Sequence, residues 1–239
     1  MVHPDLLACL GTGLLCVAVV ECVKACARAR LVDSQLARKF MHVAVGPIFF
    51  ACWPLFSASG ALYAAVVPLV MALKFAATGL GAPLPGAADE IRAMSRSGRR
   101  QELLRGPLFY GIAFAAATVL AFQRVSAAAA LMSLCVGDGL AELVGVRFGR
   151  AWPGSLPWSP RKSWAGSAAF LGGATAASLA AAAALHAWGL SAATADELWW
   201  PLLGASAVGA LVESLPMRDV DNLLVPAAVG LTLRACGVA

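Results

Sequence analysis

Long apolar segments recur along the whole chain, and short polar segments separate them. A helix needs about 20 mostly apolar residues to cross the hydrocarbon core of a bilayer. Segments near this length lie at residues 5–23, 41–57, 59–79, 106–123, 126–145, 165–188, 198–213 and 222–236, of which the second and the last two are short. The pattern predicts an all-α fold, a polytopic bundle of seven or eight transmembrane helices that forms one domain over residues 1–239.

The composition supports a membrane protein. The chain has 239 residues, of which 60% are hydrophobic and 13% charged, and its mean hydropathy is +0.78. A water-soluble domain of this size needs a more polar surface. Seven cysteines lie mainly within the apolar segments, without a C-x-x-C motif or a Cys/His pair at zinc spacing, so neither a disulfide framework nor a zinc site is predicted. The start MVHPD lacks the basic residues of a signal peptide.

The charges favour eight spans. In that topology four connecting segments fall on one side of the membrane and carry fifteen of the eighteen lysines and arginines. The four segments are 24–40, 80–105, 146–164 and 214–221. The remaining basic residues are Lys74, Arg124 and Arg234, so the distribution follows the positive-inside rule. No basic stripe alternates with aromatic residues, and the net charge of +5 therefore does not indicate a nucleic-acid partner.

Two basic groups precede apolar segments. Arg38 and His42 are four residues apart, on one face of a helix, with Lys39 beside them. A basic flank at the lipid headgroups explains Arg38 and Lys39, whereas for His42 an anion-binding or proton-handling site is an equally good hypothesis. Arg105 precedes a Gly-Pro pair at the mouth of a later span, where its guanidinium could hold a phosphate.

Two carboxylates lie inside the apolar segment that ends near residue 145. Asp138 and Glu142 are one helical turn apart, and Gly137 and Gly139 would allow a ligand or another backbone to approach closely. An ionised group at the bilayer centre costs about 2.5 to 3.5 kcal/mol on insertion scales, so function is the default hypothesis. Carboxylates near arginines suit Mg²⁺ shared with phosphate oxygens. The G-x-x-x-G spacing that follows could instead serve helix packing.

A lysine and small residues mark the start of the next apolar segment. Lys162 is followed by Ser163, Gly166 and Ser167, and free N–H groups at a helix start together with a lysine favour a phosphate. The glycine pattern of a Walker A loop is absent before the lysine. The competing interpretation is a capped helix at the membrane interface.

The last polar group lies between the final two apolar segments and contains Glu213, Asp219, Asp221 and Asn222. Asp221 or Asn222 could cap the last helix, or Asp221 could supply a second carboxylate for a metal or for activation of an alcohol. All five polar groups fall on the basic side of the predicted topology. This coincidence predicts a single site for phosphoryl or nucleotidyl transfer, in which positioning and charge neutralisation do most of the work.

Five motifs also resemble a known family. They are ARKFMHVAVGPIFFACWPLFS, AMSRSGRRQELLRGPLFYG, CVGDGLAELVGVRFG, PRKSWAGS and LVESLPMRDVDNLLVP. In this order, over residues 37–228, they resemble the phytol kinases of plastids and cyanobacteria, within the wider polyprenol and dolichol kinase family. The Gly-Asp-Gly and Lys-Ser-x-x-Gly-Ser elements mark the wider family, and the SRSGRRQELLRGPLFYG segment resembles the phytol kinase branch.

The resemblance implies a multi-pass enzyme of the chloroplast membrane that transfers the γ-phosphate of CTP, or of UTP, to phytol for tocopherol synthesis. It implies that Asp138 binds Mg²⁺ or the nucleotide phosphates, that Lys162 neutralises the phosphates, and that Asp221 is a metal ligand or base. Arg38, Lys39 and His42 match a further motif of the family. Two features differ from it: no transit peptide is visible in this chain, and SRSGRRQ is more basic than expected.

Three alternatives stay open. The acceptor could be another isoprenoid alcohol, such as farnesol, geranylgeraniol or dolichol. The reaction could instead be cytidylyl transfer that forms a CDP-lipid. A transporter in which the acids carry protons or cations is a third class, but inverted repeats are typical of such proteins, and no internal repeat is visible here.

Overall fold

The computed structural model describes residues 3–149, 154–217 and 219–238. Most of these residues are helical, which confirms the predicted all-α class. The chain forms two compact units, Met1–Val119 and Leu120–Ala239, and each is described by itself. Two parts of the predicted polar groups, residues 150–153 and Arg218, lie outside the described residues. The single domain over residues 1–239 stays a prediction.

The first unit is built from five α-helices. They are α1 (Pro4–Arg28), α2 (Ser34–Ala51), α3 (Ala61–Leu80), α4 (Ala87–Met94) and α5 (Gly106–Ala121), with short 3₁₀ turns at Trp53–Leu55 and Arg100–Leu104. A buried acid fixes the start of α1, because Asp5 accepts hydrogen bonds from the backbone N–H and the hydroxyl of Ser57, both at 2.7 Å. Helix α1 is thereby tied to the connection between α2 and α3.

Small residues and one ion pair hold the helices of the first unit together. A Cβ at Gly111 of α5 would lie 2.8 Å from the Cβ of Ala72, so glycine is required for α5 to approach α3 this closely. Lys74 was one of the basic residues away from the basic side of the predicted topology. Its Nζ lies 2.7 Å from Oε2 of Glu90 on α4, a side chain that is 1% exposed. Lys74 thus neutralises a buried acid.

The second unit contains the other helices and a small hairpin. They are α6 (Val125–Met132), α7 (Asp138–Phe148), the strands β1 (Ser155–Leu156) and β2 (Ser159–Ser163), α8 (Trp164–Ala187), α9 (Trp199–Glu213) and α10 (Asp221–Ala235). A π-helical turn, Ser133–Gly137, joins α6 to α7 directly before Asp138. Such turns within α-helices are frequent at functional sites. The antiparallel hairpin was not predicted from the sequence.

Five helical segments are long and apolar enough to cross a membrane. They are Pro4–Arg28, Ala61–Leu80, Arg100–Ala121, Val125–Phe148 and Trp164–Ala187. Their surfaces carry exposed leucines such as Leu14 and Leu62, as expected of faces that contact lipid. The other predicted spans correspond to α2, α9 and α10, which have 18, 15 and 15 residues. The structure therefore supports a helical membrane protein, while the count of seven or eight spans stays a prediction.

Candidate functional site

A lysine surrounded by acids is the main polar cluster of the second unit. Lys162 on β2 donates a hydrogen bond to Oε1 of Glu213, the last residue of α9. Its Nζ also lies 3.5 Å from Oδ2 of Asp221, the first residue of α10. The Lys162 side chain is 24% exposed and that of Glu213 is 5% exposed. Three separate elements thus converge on one partly buried ammonium group, and we call Lys162, Glu213, Asp221 and Asp138 the lysine cluster.

Electrostatics keep Lys162 charged. Burial by itself lowers the pKa of Lys162, but the attraction of Glu213, Asp138 and Asp221 outweighs that effect and the pKa is raised. The pKa of Asp221 is raised as well, by burial and by repulsion from Asp138, although Lys162 opposes the change. Asp221 is therefore a stronger base than an exposed aspartate, as a residue that accepts a proton from an alcohol should be.

In the lysine cluster, one ammonium group faces the carboxylates of Asp138, Glu213 and Asp221. Among the described residues, no group of three or more His, Cys, Asp or Glu side chains has the spacing to hold a metal ion. Mg²⁺ usually takes one or two carboxylates and completes its shell with phosphate and water. Binding of Mg²⁺ by the predicted set of Asp138, Glu142 and Asp221 stays a prediction.

Several predicted phosphate-binding residues lie where α7 meets α8. A Cβ at Gly137 would lie 3.0 Å from the Cβ of Ala174, and one at Gly166 would lie 2.9 Å from the carbonyl oxygen of Ala141. These glycines permit close helix packing. A Cβ at Gly145, in the G-x-x-x-G spacing, would lie 3.8 Å from the Cα of Gly166, so this position also faces α8. Gly139 is buried in the first turn of α7, and Glu142 follows one turn after Asp138. Phosphate binding by these glycines stays a prediction.

The first turn of α8 has a capping side chain and a buried hydroxyl without a hydrogen-bond partner among the described residues. Ser163 accepts a hydrogen bond from the backbone N–H of Gly166 at 3.1 Å, so it caps the helix as the alternative interpretation expected. The Oγ of Ser167, in the same turn, is buried and has no hydrogen-bond partner among the described residues. Asp221 and Asn222 do not occupy the cap of α10, because Val220 does, and Asp221 accepts the N–H of Asn222 at 3.1 Å.

The hairpin that carries Lys162 is fixed to the end of α9. The indole N–H of Trp158, between β1 and β2, donates to Oγ of Ser214 at 3.2 Å. The hydroxyl of Ser214 donates in turn to the carbonyl of Leu211 at 2.6 Å. Since Ser214 follows Glu213 directly, this contact holds the hairpin beside the acid that pairs with Lys162. A side chain positioned in this way needs little reorganisation when a ligand binds.

The first unit contains the remaining predicted residues. Arg38, Lys39 and His42 lie on α2, and Arg105 is exposed directly before α5. The hydroxyl of Tyr110 donates to the carbonyl of His42 at 2.8 Å, and the two rings are 4.6 Å apart. Burial and the charge of a neighbouring arginine lower the pKa of Arg38. Helix α2 is thus packed against α5 at His42.

An acid organises the basic loop between α4 and α5. Glu102 accepts hydrogen bonds from the backbone N–H groups of Arg96 and Ser97, at 2.5 and 3.3 Å, and from the Ser97 hydroxyl. The Nε of Arg99 lies 3.7 Å from the same carboxylate. We call residues 95–102 the basic loop. Its backbone and side-chain donors converge on one anionic group, which here belongs to the chain itself.

Two acids were missed by the sequence analysis as site residues. Glu213 was placed in the last polar group without a role, although an acid at the very end of an apolar segment could have identified it. Glu102 could have been identified because it is the only acid between Arg92 and Arg105 in the sequence. Of the predicted residues, the second unit brings together Lys162 and Asp221, and Asp138 is close enough to act on Lys162 electrostatically. The single site that was to include Arg38, Lys39, His42 and Arg105 stays a prediction.

The chain was compared with protein families, curated proteins and solved structures. No family model matches it, and no solved structure matches it significantly. It is 39% identical to farnesol kinase, chloroplastic, of Arabidopsis thaliana over 200 residues, which cover 80% of this chain and 62% of that protein. It is 37% identical to a probable phytol kinase, chloroplastic, of Triticum aestivum over 223 residues, which cover 89% of this chain and 71% of that protein.

A third relative is phytol kinase 1, chloroplastic, of Arabidopsis thaliana. The identity is 34% over 217 residues, or 88% of this chain and 69% of that protein. The chain therefore spans less than two thirds of the farnesol kinase and slightly more than two thirds of the two phytol kinases. The matched regions are long enough to include most of both structural units.

Proposed function

The chain belongs to the family of phytol and farnesol kinases, and from this premise we propose that it phosphorylates phytol with CTP as the phosphate donor. The product would be phytyl phosphate, with CDP released, in a salvage route toward tocopherols. The observation that carries the proposal is the lysine cluster, in which Lys162 contacts Glu213 and lies 3.5 Å from Asp221. A charged lysine among carboxylates has the groups that phosphoryl transfer requires.

The proposed reaction assigns a role to each group. The alcohol oxygen forms a bond to the γ-phosphorus while the bond from that phosphorus to the bridging oxygen of CDP breaks. The hydroxyl proton passes to Asp221, whose raised pKa makes it a better base. Lys162 neutralises charge on the transferred phosphate. Glu213 is a positioning residue, because it holds the Lys162 ammonium in place.

Mg²⁺ is the cofactor that the donor set fits. Asp138 would hold it, and one carboxylate leaves room in its shell for phosphate oxygens and water. When bound, the ion would neutralise charge on the β- and γ-phosphates.

We further propose a place in the chloroplast membrane. The printed names of the three relatives describe chloroplastic proteins, and the apolar helices suit a multi-pass protein. An eight-span topology with the basic segments on one side remains the best account of the charge distribution. The isoprenoid chain of the acceptor would then reach the enzyme through the bilayer.

Farnesol is the second candidate acceptor. The observation that favours it is the similarity to farnesol kinase, which at 39% exceeds the 37% and 34% found for the two phytol kinases. Phytol and farnesol are both apolar chains with one primary hydroxyl, so the chemistry of phosphoryl transfer would be the same. The size of the apolar binding surface would determine the preference.

An acceptor-by-nucleotide assay tests the proposal. The purified full chain in nanodiscs would be given CTP, UTP, ATP or GTP with phytol, farnesol, geranylgeraniol or dolichol, in Mg²⁺ or EDTA. We expect the highest rate with CTP and phytol, loss of activity in EDTA, and a product heavier than the alcohol by one phosphate. Asp138→Asn and Lys162→Ala should each lower the rate about 100-fold or more, since each removes a charge that acts on the phosphates.

Matched controls separate the site from general damage. Asp196→Asn changes an exposed aspartate outside the lysine cluster, and Arg161→Ala removes the exposed cation beside Lys162 on β2. Both controls should keep near-normal rates. Full activity in Asp138→Asn and Lys162→Ala would refute the proposed site. A CDP-lipid product would instead identify a cytidylyltransferase, and substrate flux across sealed vesicles without CTP use would identify a transporter.

A further inference from the structure

A cavity that two arginines line lies in the second unit, away from the lysine cluster. Its volume is about 260 Å³, and it lies where α6 begins and α10 ends. Its lining consists of Leu120, Ala121, Phe122, Arg124, Ser126 and Arg234. Arg124 and Arg234 are two of the three basic residues that the positive-inside pattern left unexplained. We call this space the arginine cavity.

Close helix packing brings the two arginines to the same cavity. Arg124 is the cap residue at the start of α6, and Arg234 lies in the last turn of α10. A Cβ at Gly230 of α10 would lie 3.8 Å from the Cβ of Ala130 and from the carbonyl oxygen of Ser126. The two helices are therefore in contact one turn before Arg234.

In the described part of the chain, the two arginines of the arginine cavity form no ion pair with an acid. Ser126 is 2% exposed, and its Oγ has no hydrogen-bond partner among the described residues. A buried hydroxyl without a partner is unfavourable, because it has lost its hydrogen bonds to water. Ser126 also lies in the first turn of α6, where the helix dipole favours an anion.

Helix lengths separate the arginine cavity from the lysine cluster. Arg234 follows Asp221 by thirteen residues on α10, which is about 20 Å at a helical rise of about 1.5 Å per residue. Arg124 precedes Asp138 by fourteen residues along the α6–α7 segment, which gives about the same distance. Arg124 and Arg234 thus lie about 20 Å from Asp138 and Asp221 along these helices, and one bound phosphate cannot contact both groups.

We propose that the arginine cavity binds a phosphate oxyanion, held by the guanidinium groups of Arg124 and Arg234 and by the hydroxyl of Ser126. Paired guanidinium groups bind phosphate oxygens through charge-assisted hydrogen bonds. The hydroxyl of Ser126 gains its missing acceptor. The phosphate belongs either to the headgroup of an anionic lipid or to a free phosphate ion, and the cavity chemistry is the same for both.

Two binding experiments on the full chain distinguish these sources. In the first, native mass spectrometry measures phosphatidylglycerol retained by protein from nanodiscs that contain phosphatidylglycerol and phosphatidylcholine. In the second, the unfolding temperature in detergent is followed during titration with inorganic phosphate at constant ionic strength. Arg124→Gln and Arg234→Gln should each weaken binding about tenfold or more, and Ser126→Ala should weaken it by a smaller factor.

Controls make the outcome decisive. Arg30→Gln removes an exposed arginine outside the arginine cavity and should leave binding unchanged. Arg124→Lys and Arg234→Lys keep the positive charge but lose the paired N–H donors of the guanidinium group, so they should show intermediate affinity. They give a second test if a glutamine variant fails to fold. Retained lipid alone identifies a headgroup, and a phosphate-dependent shift alone identifies the free ion. Absence of both signals, or equal loss in Arg30→Gln, would overturn the proposal.

Discussion

The two units contain opposite arrangements of charge. In the first unit, the Glu102 carboxylate is surrounded by donors of the basic loop, which include the backbone N–H groups of Arg96 and Ser97. In the second unit, the Lys162 ammonium is surrounded by acids. The side chains of Glu102 and Lys162 are almost equally exposed, at 25% and 24%. Their charged partners differ, because Arg99 is 76% exposed and Glu213 is 5% exposed.

This difference in burial determines what each arrangement can do. Exposed ion pairs contribute about 0 to 1 kcal/mol and are screened by salt, so the pair of Arg99 and Glu102 adds little to the stability of the basic loop. Buried charges are costly unless they are paired. The buried carboxylate of Glu213 therefore depends on Lys162.

Removal of the ammonium should have the largest effect on stability. Lys162→Met leaves Glu213 buried without a counter-charge, and we expect a loss of about 3 kcal/mol. For a chain of this size that corresponds to about 6 to 12 °C in the unfolding temperature in detergent. Because the pKa of Lys162 is raised, the pair contributes at neutral pH, and its contribution is lost only as the pH rises through the folded-state pKa.

A double variant separates stability from activity. In Lys162→Met/Glu213→Gln no unpaired charge remains at Glu213, so about half of the lost stability should return, while kinase activity should stay absent. Arg161→Met on the same strand is the control and should unfold at the normal temperature, because its side chain is exposed. An unfolding temperature for Lys162→Met equal to that of Arg161→Met would contradict the assigned difference in burial.

The same contrast explains how much could be predicted from the sequence. Most helices could be predicted, because a bilayer requires long apolar segments, and α8 begins and ends within one residue of the predicted 165–188. Lys162 could be predicted as a site residue because small residues follow it at a helix start, and Asp221 because it lies where the last apolar segment begins. The contact between them could not be predicted, since it depends on a hairpin of nine residues that Trp158 fixes to Ser214 across 56 positions of sequence. Glu102 was hidden because its partners include backbone N–H groups, which sequence does not distinguish.

Removal of the acid from the basic loop should have a smaller effect. Glu102→Gln keeps the size of the side chain but replaces charge-assisted hydrogen bonds with neutral ones, which are about half as strong. We expect the basic loop to open more often, so that trypsin cleaves after Arg96 or Arg99 about tenfold faster, while the unfolding temperature falls by no more than about 2 to 4 °C. Gln101→Ala, an exposed neighbour, is the control. Unchanged cleavage in Glu102→Gln would mean that the acid does not organise the loop.

The smallest effect concerns Ser163, which caps α8 beside Lys162 and is also a predicted phosphate ligand. Alanine at a cap costs about 1 kcal/mol and glycine only a few tenths, so Ser163→Ala should unfold about 2 to 4 °C earlier and Ser163→Gly close to normal. If the hydroxyl also binds phosphate, both variants lose that contact equally, and KM for CTP should rise about tenfold in each. Ser155→Ala and Ser155→Gly, at an exposed position of β1, are the matched controls. A KM that rises only in the alanine variant would follow helix stability, and Ser163 would then be a cap without a role in phosphate binding.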